Sequence, residues 1–454
     1  MEDTIAAIST PVGEGGIAII RVSGPLAFNL ADRIFHPAKG RPSEFPTHTI
    51  HFGTAGINGD AIDQVMVTIM RAPRTYTKED TIELNCHGGI LTARKLLSLC
   101  LQNGARLAEP GEFTKRAFLN GRLDLTQAEA VMDIIRAKTD RAHDNALHEL
   151  EGRLSYEINE ARDQLIAILA HIEAHIDFPE EDISPKNREN LLRDARSVLG
   201  FLESILATFR QGKILREGIP VAIVGRPNVG KSSLLNALLG ENRAIVTPVP
   251  GTTRDTLEEF ANIQGIPFRF TDTAGIRHPR GRVEAIGVER AAKAIHDSDI
   301  VLHVLDASQT FRSTDLEIQQ KCGKKQLLLV LNKSDLPTRL RVPPQLFGFK
   351  AIPISASSGF GLPVLCDTLV QTAYSDSAGG TTNLTVAINE RHHEALLRAS
   401  NSLTDGVLCL ERREQLEVVS QQLRIALNAL GEITGQTATD DILDRVFSTF
   451  CIGK

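Results

Sequence analysis

Gly225-Arg226-Pro227-Asn228-Val229-Gly230-Lys231-Ser232 follows the apolar run Val221 to Val224, and this junction decides how the middle of the chain folds. The eight residues fit G-x-x-x-x-G-K-[ST], a loop that leaves a buried strand and enters a helix, here expected over Ser233 to Leu239. Its glycines let consecutive backbone N–H groups, those of Asn228, Val229, Gly230 and Ser233 among them, turn inward around phosphates. Lys231 adds a cation near the β- and γ-phosphates, and the Ser232 hydroxyl can ligate Mg²⁺. A nucleoside triphosphate site in a Ras-like P-loop domain is predicted.

Working outward, three more segments fall in the order a GTPase requires. Phe268 to Thr271 leads into Asp272-Thr273-Ala274-Gly275, where Asp272 can act through water on Mg²⁺ and the Gly275 N–H can meet a γ-phosphate. Upstream, Gly251-Thr252-Thr253-Arg254-Asp255 offers a hydroxyl for the magnesium shell. Leu327 to Leu331 reads as a buried strand that delivers Asn332-Lys333-Ser334-Asp335; the Asp335 carboxylate can accept two hydrogen bonds from guanine N1–H and its 2-amino group, a donor pair that adenine lacks. Ser355-Ala356-Ser357, after Ile352-Pro353-Ile354, presents backbone N–H groups to guanine O6. The nucleotide is therefore read as GTP. Ile276 stands where Ras-type enzymes place a water-orienting glutamine, and an apolar side chain cannot do that work. Glu284 and Glu289 are candidate replacements, and Asn228 offers a neutral oxygen suited to a monovalent cation.

The whole chain has 454 residues, 42% of them hydrophobic, which suggests about three domains. A net charge of −6 provides no global positive field, so any RNA contact must come from a local patch. Cys86, Cys100, Cys322, Cys366, Cys409 and Cys451 lack C-x-x-C spacing, which argues against a disulfide framework or a zinc site and fits a reducing cytoplasm. No signal-peptide pattern precedes Gly13, and no apolar run approaches 18 residues, so neither secretion nor a membrane span is expected.

Residues 1 to about 118 read as an α+β domain. Gly15 to Val22, His48 to Phe52, Gln64 to Ile69 and Thr81 to Leu84 look extended, and Pro25 to Phe35 and Ile90 to Leu101 look helical. The glycines around Gly13 to Gly16 and His87-Gly88-Gly89 complete no nucleotide fingerprint. From Leu123 to Leu215 the pattern turns helical, as in Leu165, Ile168, Leu169 and Ile172, with a break at Phe178-Pro179-Glu180-Glu181-Asp182. The cations Lys186, Arg188, Arg193, Arg196, Arg210, Lys213 and Arg216 alternate with acids and read as a solvated helix face. Strand and helix alternate over 217 to 375, Ser375 to Gly380 reads as a linker, and helical periodicity resumes from Leu396 to Leu430. Helices on both sides point to a nucleotide domain inserted between two halves of a helical one.

These motifs, with Gly15 to Gly24, Pro110 to Asn120 and the terminal Cys451-Ile452-Gly453-Lys454, resemble the MnmE (TrmE) family of tRNA modification GTPases over the whole chain. The resemblance implies an N-terminal α+β domain over 1–120 that binds tetrahydrofolate and forms a homodimer. It further implies a helical domain over 121–216 and 377–454, with the G domain at 217–376. It places a reduced folate such as 5-formyltetrahydrofolate on Arg21, Glu83, Arg122 and Lys454, and makes Cys451 a suspected functional thiol. A carboxylate suits the aminopyrimidine edge of a pterin, and cations suit its glutamate tail. The resemblance also implies that the loop Thr247-Pro248-Val249-Pro250-Gly251-Thr252-Thr253 closes over the nucleotide. Thr253 would join Ser232 on Mg²⁺; Asn228, the carbonyls of Thr247 and Val249, and Thr252 would hold K⁺, and Glu284 would position the attacking water. The implied partners are tRNA and the FAD-dependent protein MnmG (GidA); no flavin fingerprint occurs in this chain. A GTP-driven RNA-binding or ribosome-assembly switch is the competing expectation.

Overall fold

Alternation of core and surface side chains builds the first sheet. In Gly15–Ser23 the residues Ala18, Ile20 and Val22 are buried, and in Thr81–Gly88 so are Ile82, Leu84 and Cys86. The computed structural model describes residues 3–57, 59–177, 185–242, 258–272, 292–323, 325–346, 348–374 and 387–454. The chain divides into two compact units: Met1–Met132, Glu149–Phe201 and Ala395–Lys454 form one, and Asp133–His148 with Leu202–Glu394 form the other.

The first unit carries β1 (Ile5–Ile8), β2 (Gly15–Ser23), β3 (Phe35–Pro37), β4 (Thr49–Ile57), β5 (Asp60–Met70), β6 (Thr81–Gly88) and β7 (Arg106–Leu107), in the spatial order β3-β4-β5-β6-β2-β1-β7. All pairings are antiparallel except β1 with β7. Helices Ala27–Ile34 and Ile90–Gln102 cover one face through Phe28, Leu30, Leu96 and Leu99. A helical layer in the same unit packs Arg153–Asp177 against Leu416–Thr434. There Leu125, Met132, Leu443, Phe447 and Phe450 form a separate core. The helices expected in both halves are present. Asp440–Phe447 and Glu112–Leu119, eight residues each, were too short to stand out as periodic patterns.

The second unit is built on β8 (Ile219–Val224), β9 (Glu258–Ile263), β10 (Ile266–Asp272), β11 (Ile300–Asp306), β12 (Gln326–Asn332) and β13 (Lys350–Pro353), in the order β13-β12-β11-β8-β10-β9. Among these described strands only β9 with β10 is antiparallel. β11 is buried along its whole length, as befits a central parallel strand, although its apolar run is interrupted by His303 and ends in Asp306. Lys231–Asn242 and Leu362–Tyr374 lie against one face and 292–297 against the other. This is the α/β arrangement expected of a Ras-like domain, with the phosphate loop at the carboxyl end of a central strand.

Of the basic run, Arg193 and Arg196 are exposed and pair with Asp194 and Glu411, as a solvated face would. Arg216 differs, since its largely buried side chain bonds to Asp133 at 2.6 Å and to the Ala387 carbonyl at 2.9 Å. All six cysteines are free. Among the described residues no cluster could hold a metal, and no helix is long and apolar enough to cross a membrane. The expected break at Phe178 to Asp182 and the linker at Ser375 to Gly380 lie outside the described residues.

Candidate functional site

The phosphate loop leaves β8 through backbone conformations that few side chains tolerate. At Gly225 a side chain would begin 2.4 Å from the Val304 carbonyl, and at Gly230, with φ of 97°, it would begin 2.2 Å from Asn332 Nδ2. Between them Asn228 is left-handed, φ 63°. Asn332 is buried; its Nδ2 donates to the Val229 carbonyl at 2.9 Å, and its Oδ1 accepts the Ala356 N–H at 3.1 Å. One side chain thus ties the phosphate loop to the loop expected to face guanine O6. Lys333, also left-handed, donates Nζ to the Asn228 carbonyl at 3.0 Å and to Asp306 at 2.7 Å. Ser334 N–H reaches the Ile354 carbonyl at 3.0 Å, which holds the two guanine-side segments together. Asp335 and Ser357 are exposed beside them, Ser355 is buried, and the Ser355 and Ser357 hydroxyls are 3.0 Å apart.

Lys231 begins the helix Lys231–Asn242, followed by half-buried Ser232 and exposed Ser233. Its Nζ donates to the carbonyls of Gly225 and Arg226, both at 2.8 Å, so the cation lies over its own loop. Thr247, Pro248, Val249, Pro250, Gly251, Thr252, Thr253, Thr273, Ala274, Gly275 and Glu284, together with the Asp272 side chain, lie outside the described residues.

Two buried carboxylates escaped the motif reading. Asp315, fully buried, accepts Arg226 Nε at 2.8 Å and the Arg312 N–H at 3.0 Å, which fastens the loop to the helix Ser313–Lys321. Asp306 ends β11, and burial raises its carboxyl while the Lys333 ammonium and the Ser308 donors more than offset this, leaving it below the usual range. The available signal was an acid at the end of a mostly apolar run. Next to the Arg226–Asp315 pair, His303 is fully buried, and among the described residues neither ring nitrogen has a hydrogen-bond partner. Burial pushes its imidazole down to about 4; Asp315 opposes that fall and Arg226 adds to it.

In the first unit the strand register sets Arg21 directly opposite Glu83, and two guanidinium nitrogens of Arg21 reach Glu83 Oε1 at 2.8 Å. The Arg21 guanidinium also lies 5.8 Å from the Tyr76 ring centre and 5.7 Å from that of Phe113; Arg122 lies 4.8 Å from Tyr76. Burial raises the Tyr76 phenol, whose oxygen is 3.0 Å from the Thr114 hydroxyl.

The tail reaches the same place. Ile452 bridges to Pro110, and the Lys454 carbonyl accepts the Phe113 N–H at 3.1 Å. Gly453, φ 96°, passes so near the Ile8 carbonyl that a side chain would begin 2.5 Å from it. Burial lowers the Lys454 ammonium and the charge of Arg21 lowers it further, against the pull of Glu83. Arg21, Glu83 and Lys454 therefore share one electrostatic neighbourhood, with Arg122 joined through Tyr76. Cys451 is exposed.

Two family profiles match: "GTP-binding protein TrmE N-terminus" over residues 4–122 and "MnmE helical domain" over 125–451. Among curated relatives, proteins called "tRNA modification GTPase MnmE" from Bacillus velezensis and Clostridioides difficile are 45% and 46% identical, each alignment covering 100% of both chains. Another of that name, from Levilactobacillus brevis, is 48% identical over 100% of this chain and 98% of its own.

Proposed function

The chain belongs to the MnmE family of tRNA modification GTPases, and from that membership we propose a potassium-dependent GTPase that acts with the FAD-dependent protein MnmG (GidA) on tRNA. The product is an aminomethyl or carboxymethylaminomethyl group on carbon 5 of the wobble uridine, with a reduced folate such as 5-formyltetrahydrofolate as one-carbon donor. GTP is bound and hydrolysed at the phosphate loop. The neutral, exposed amide of Asn228 suits a monovalent cation, and it holds K⁺ together with Thr252 and the carbonyls of Thr247 and Val249. Bound there, K⁺ supplies fixed positive charge where charge develops in phosphoryl transfer. Ser232 and Thr253 serve Mg²⁺, Asp272 through water, and Glu284 orients the attacking water in place of a glutamine.

The observation that carries the folate reading is the approach of Lys454 to Arg21 and Glu83, a carboxylate between cations of the kind a pterin and its glutamate tail require. A homodimer fits the open face of the first sheet, where Ile50, Phe52 and Met66 lie on adjacent strands, Phe52 opposite Met66, and are 62%, 64% and 45% exposed. The test is titration of the full chain with 5-formyltetrahydrofolate. Saturable binding that Glu83→Gln and Lys454→Ala each weaken about tenfold supports the reading; no binding by the wild type ends it.

A further inference from the structure

Lys333 links the phosphate loop to a buried carboxylate. Its ammonium sits between the Asn228 carbonyl at 3.0 Å and Asp306 Oδ2 at 2.7 Å. Asp306 is 1% exposed and is fixed in place: Oδ1 accepts the Ser308 N–H at 2.9 Å and the Ser308 hydroxyl at 2.6 Å, and Oδ2 also accepts Gln309 Nε2 at 3.0 Å. With Lys333 this makes four donors, the full capacity of a carboxylate. The backbone adds stiffness, because Ala307 N–H donates to the Asn332 carbonyl at 2.8 Å and Asp306 pairs with Asn332 in the β11–β12 register. At the far end of the chain of contacts Asn228 holds a left-handed φ of 63°, a conformation that asparagine tolerates but that needs outside support to dominate.

We propose that Asp306 is a positioning residue for the nucleotide site: through the Lys333 ammonium it fixes the Asn228 carbonyl, and so sets how the phosphate loop presents Asn228 to nucleotide and monovalent cation. The cation half of this statement rests on the function proposed above; the nucleotide half does not. Among the described residues no contact places Asp306 at the reacting atoms, and its effect travels by one charged hydrogen bond and one backbone peptide.

The experiment uses the full chain carrying Asp306→Asn, an isostere that keeps an acceptor for Ser308 but loses the charge. GDP affinity should fall about tenfold and the K⁺ concentration for half-maximal GTPase rate should rise several-fold, with kcat at saturating GTP and K⁺ changed less than twofold. The same substitution in a Lys333→Met background should cost nothing further in GDP affinity, since the connection is already cut. Additive losses in the double variant, or wild-type GDP affinity in Asp306→Asn, would overturn the proposal. If Asp306→Asn does not fold, Ser308→Ala removes one of the donors that aim the carboxylate and should weaken GDP binding two- to threefold in the same direction; unchanged binding there overturns it equally. A wild type that shows no preference for K⁺ over Na⁺ removes the cation reading, and GDP affinity alone then decides the role of Asp306.

Discussion

The phosphate loop commits eight consecutive residues to one task, whereas Arg21, Glu83, Arg122 and Lys454 come from two strands, a loop and the tail to a single cluster. In the first region the proposed recognition falls to the backbone: left-handed positions, N–H groups and glycines whose missing side chains make room for neighbours. In the second it would fall to the side chains, with the backbone serving to bring distant positions together. A site of the first kind is written in local sequence, and one of the second kind in tertiary structure.

The contrast breaks first under removal of a charge from the loop. Lys231→Ala should lower GTP turnover by roughly 10²–10³-fold or more while folate affinity stays at the wild-type level. Parallel loss of both activities, measured on the same preparation, would mean that the two regions are not separate functional parts.

Smaller but more specific is the response to the cation. Steady-state rates in K⁺ and Na⁺ at equal ionic strength should differ at least about tenfold for the wild type and become equal in Asn228→Ala; Glu284→Ala should be slow in both salts. Equal wild-type rates would return Asn228 to an ordinary loop residue.

A chain ending at Cys451 sharpens the comparison from the other side. It loses the Lys454 ammonium and the Ile452 bridge, so tRNA modification and folate affinity should drop about tenfold with GTP turnover nearly intact. Loss of GTPase activity to the same degree would tie the tail to the nucleotide site.

How far each region could be read in advance follows from this difference. The strand at Val221 to Val224, the helix after Ser232 and the box at Asn332 to Asp335 were legible because buried parallel strands are unbroken apolar runs and the turns between them need fixed residue types. The roles of Asp306 and Asp315 were not, since each is a single acid whose partner lies on another element. For Arg21 and Glu83 the residues alone supported only surface cations and a strand acid; their pairing depends on a β2–β6 register that periodicity does not fix. The short strands Ile5–Ile8 and Arg106–Leu107 were missed because two to four residues carry too little alternation.

A last prediction, read as stability rather than activity, concerns a buried imidazole of the nucleotide unit. The folded His303 refuses a proton down to about pH 4, whereas an unfolded histidine takes one near 6.5. The unfolded chain therefore binds more protons in that window, so the stability of this unit is whole above pH 6.5 and declines as pH falls toward 4, by up to ~3 kcal/mol. His303→Leu should flatten that decline and add about 1–2 kcal/mol at neutral pH, because it removes a buried polar ring that has no partner among the described residues. Urea denaturation followed at pH 7 and pH 5 distinguishes the outcomes; an unaltered pH dependence in the variant would show that His303 is not its source.

Asn332 Nδ2 occupies the volume into which any side chain at Gly230 would grow. Two motifs about a hundred residues apart are thus a lock and its keyway, and neither can drift alone. A homologue that lost the glycine would have to shorten or redirect the asparagine in the same lineage, and would then lose the tie from the phosphate loop to Ala356. Exchange of this segment between related GTPases should accordingly succeed only when both pieces travel together.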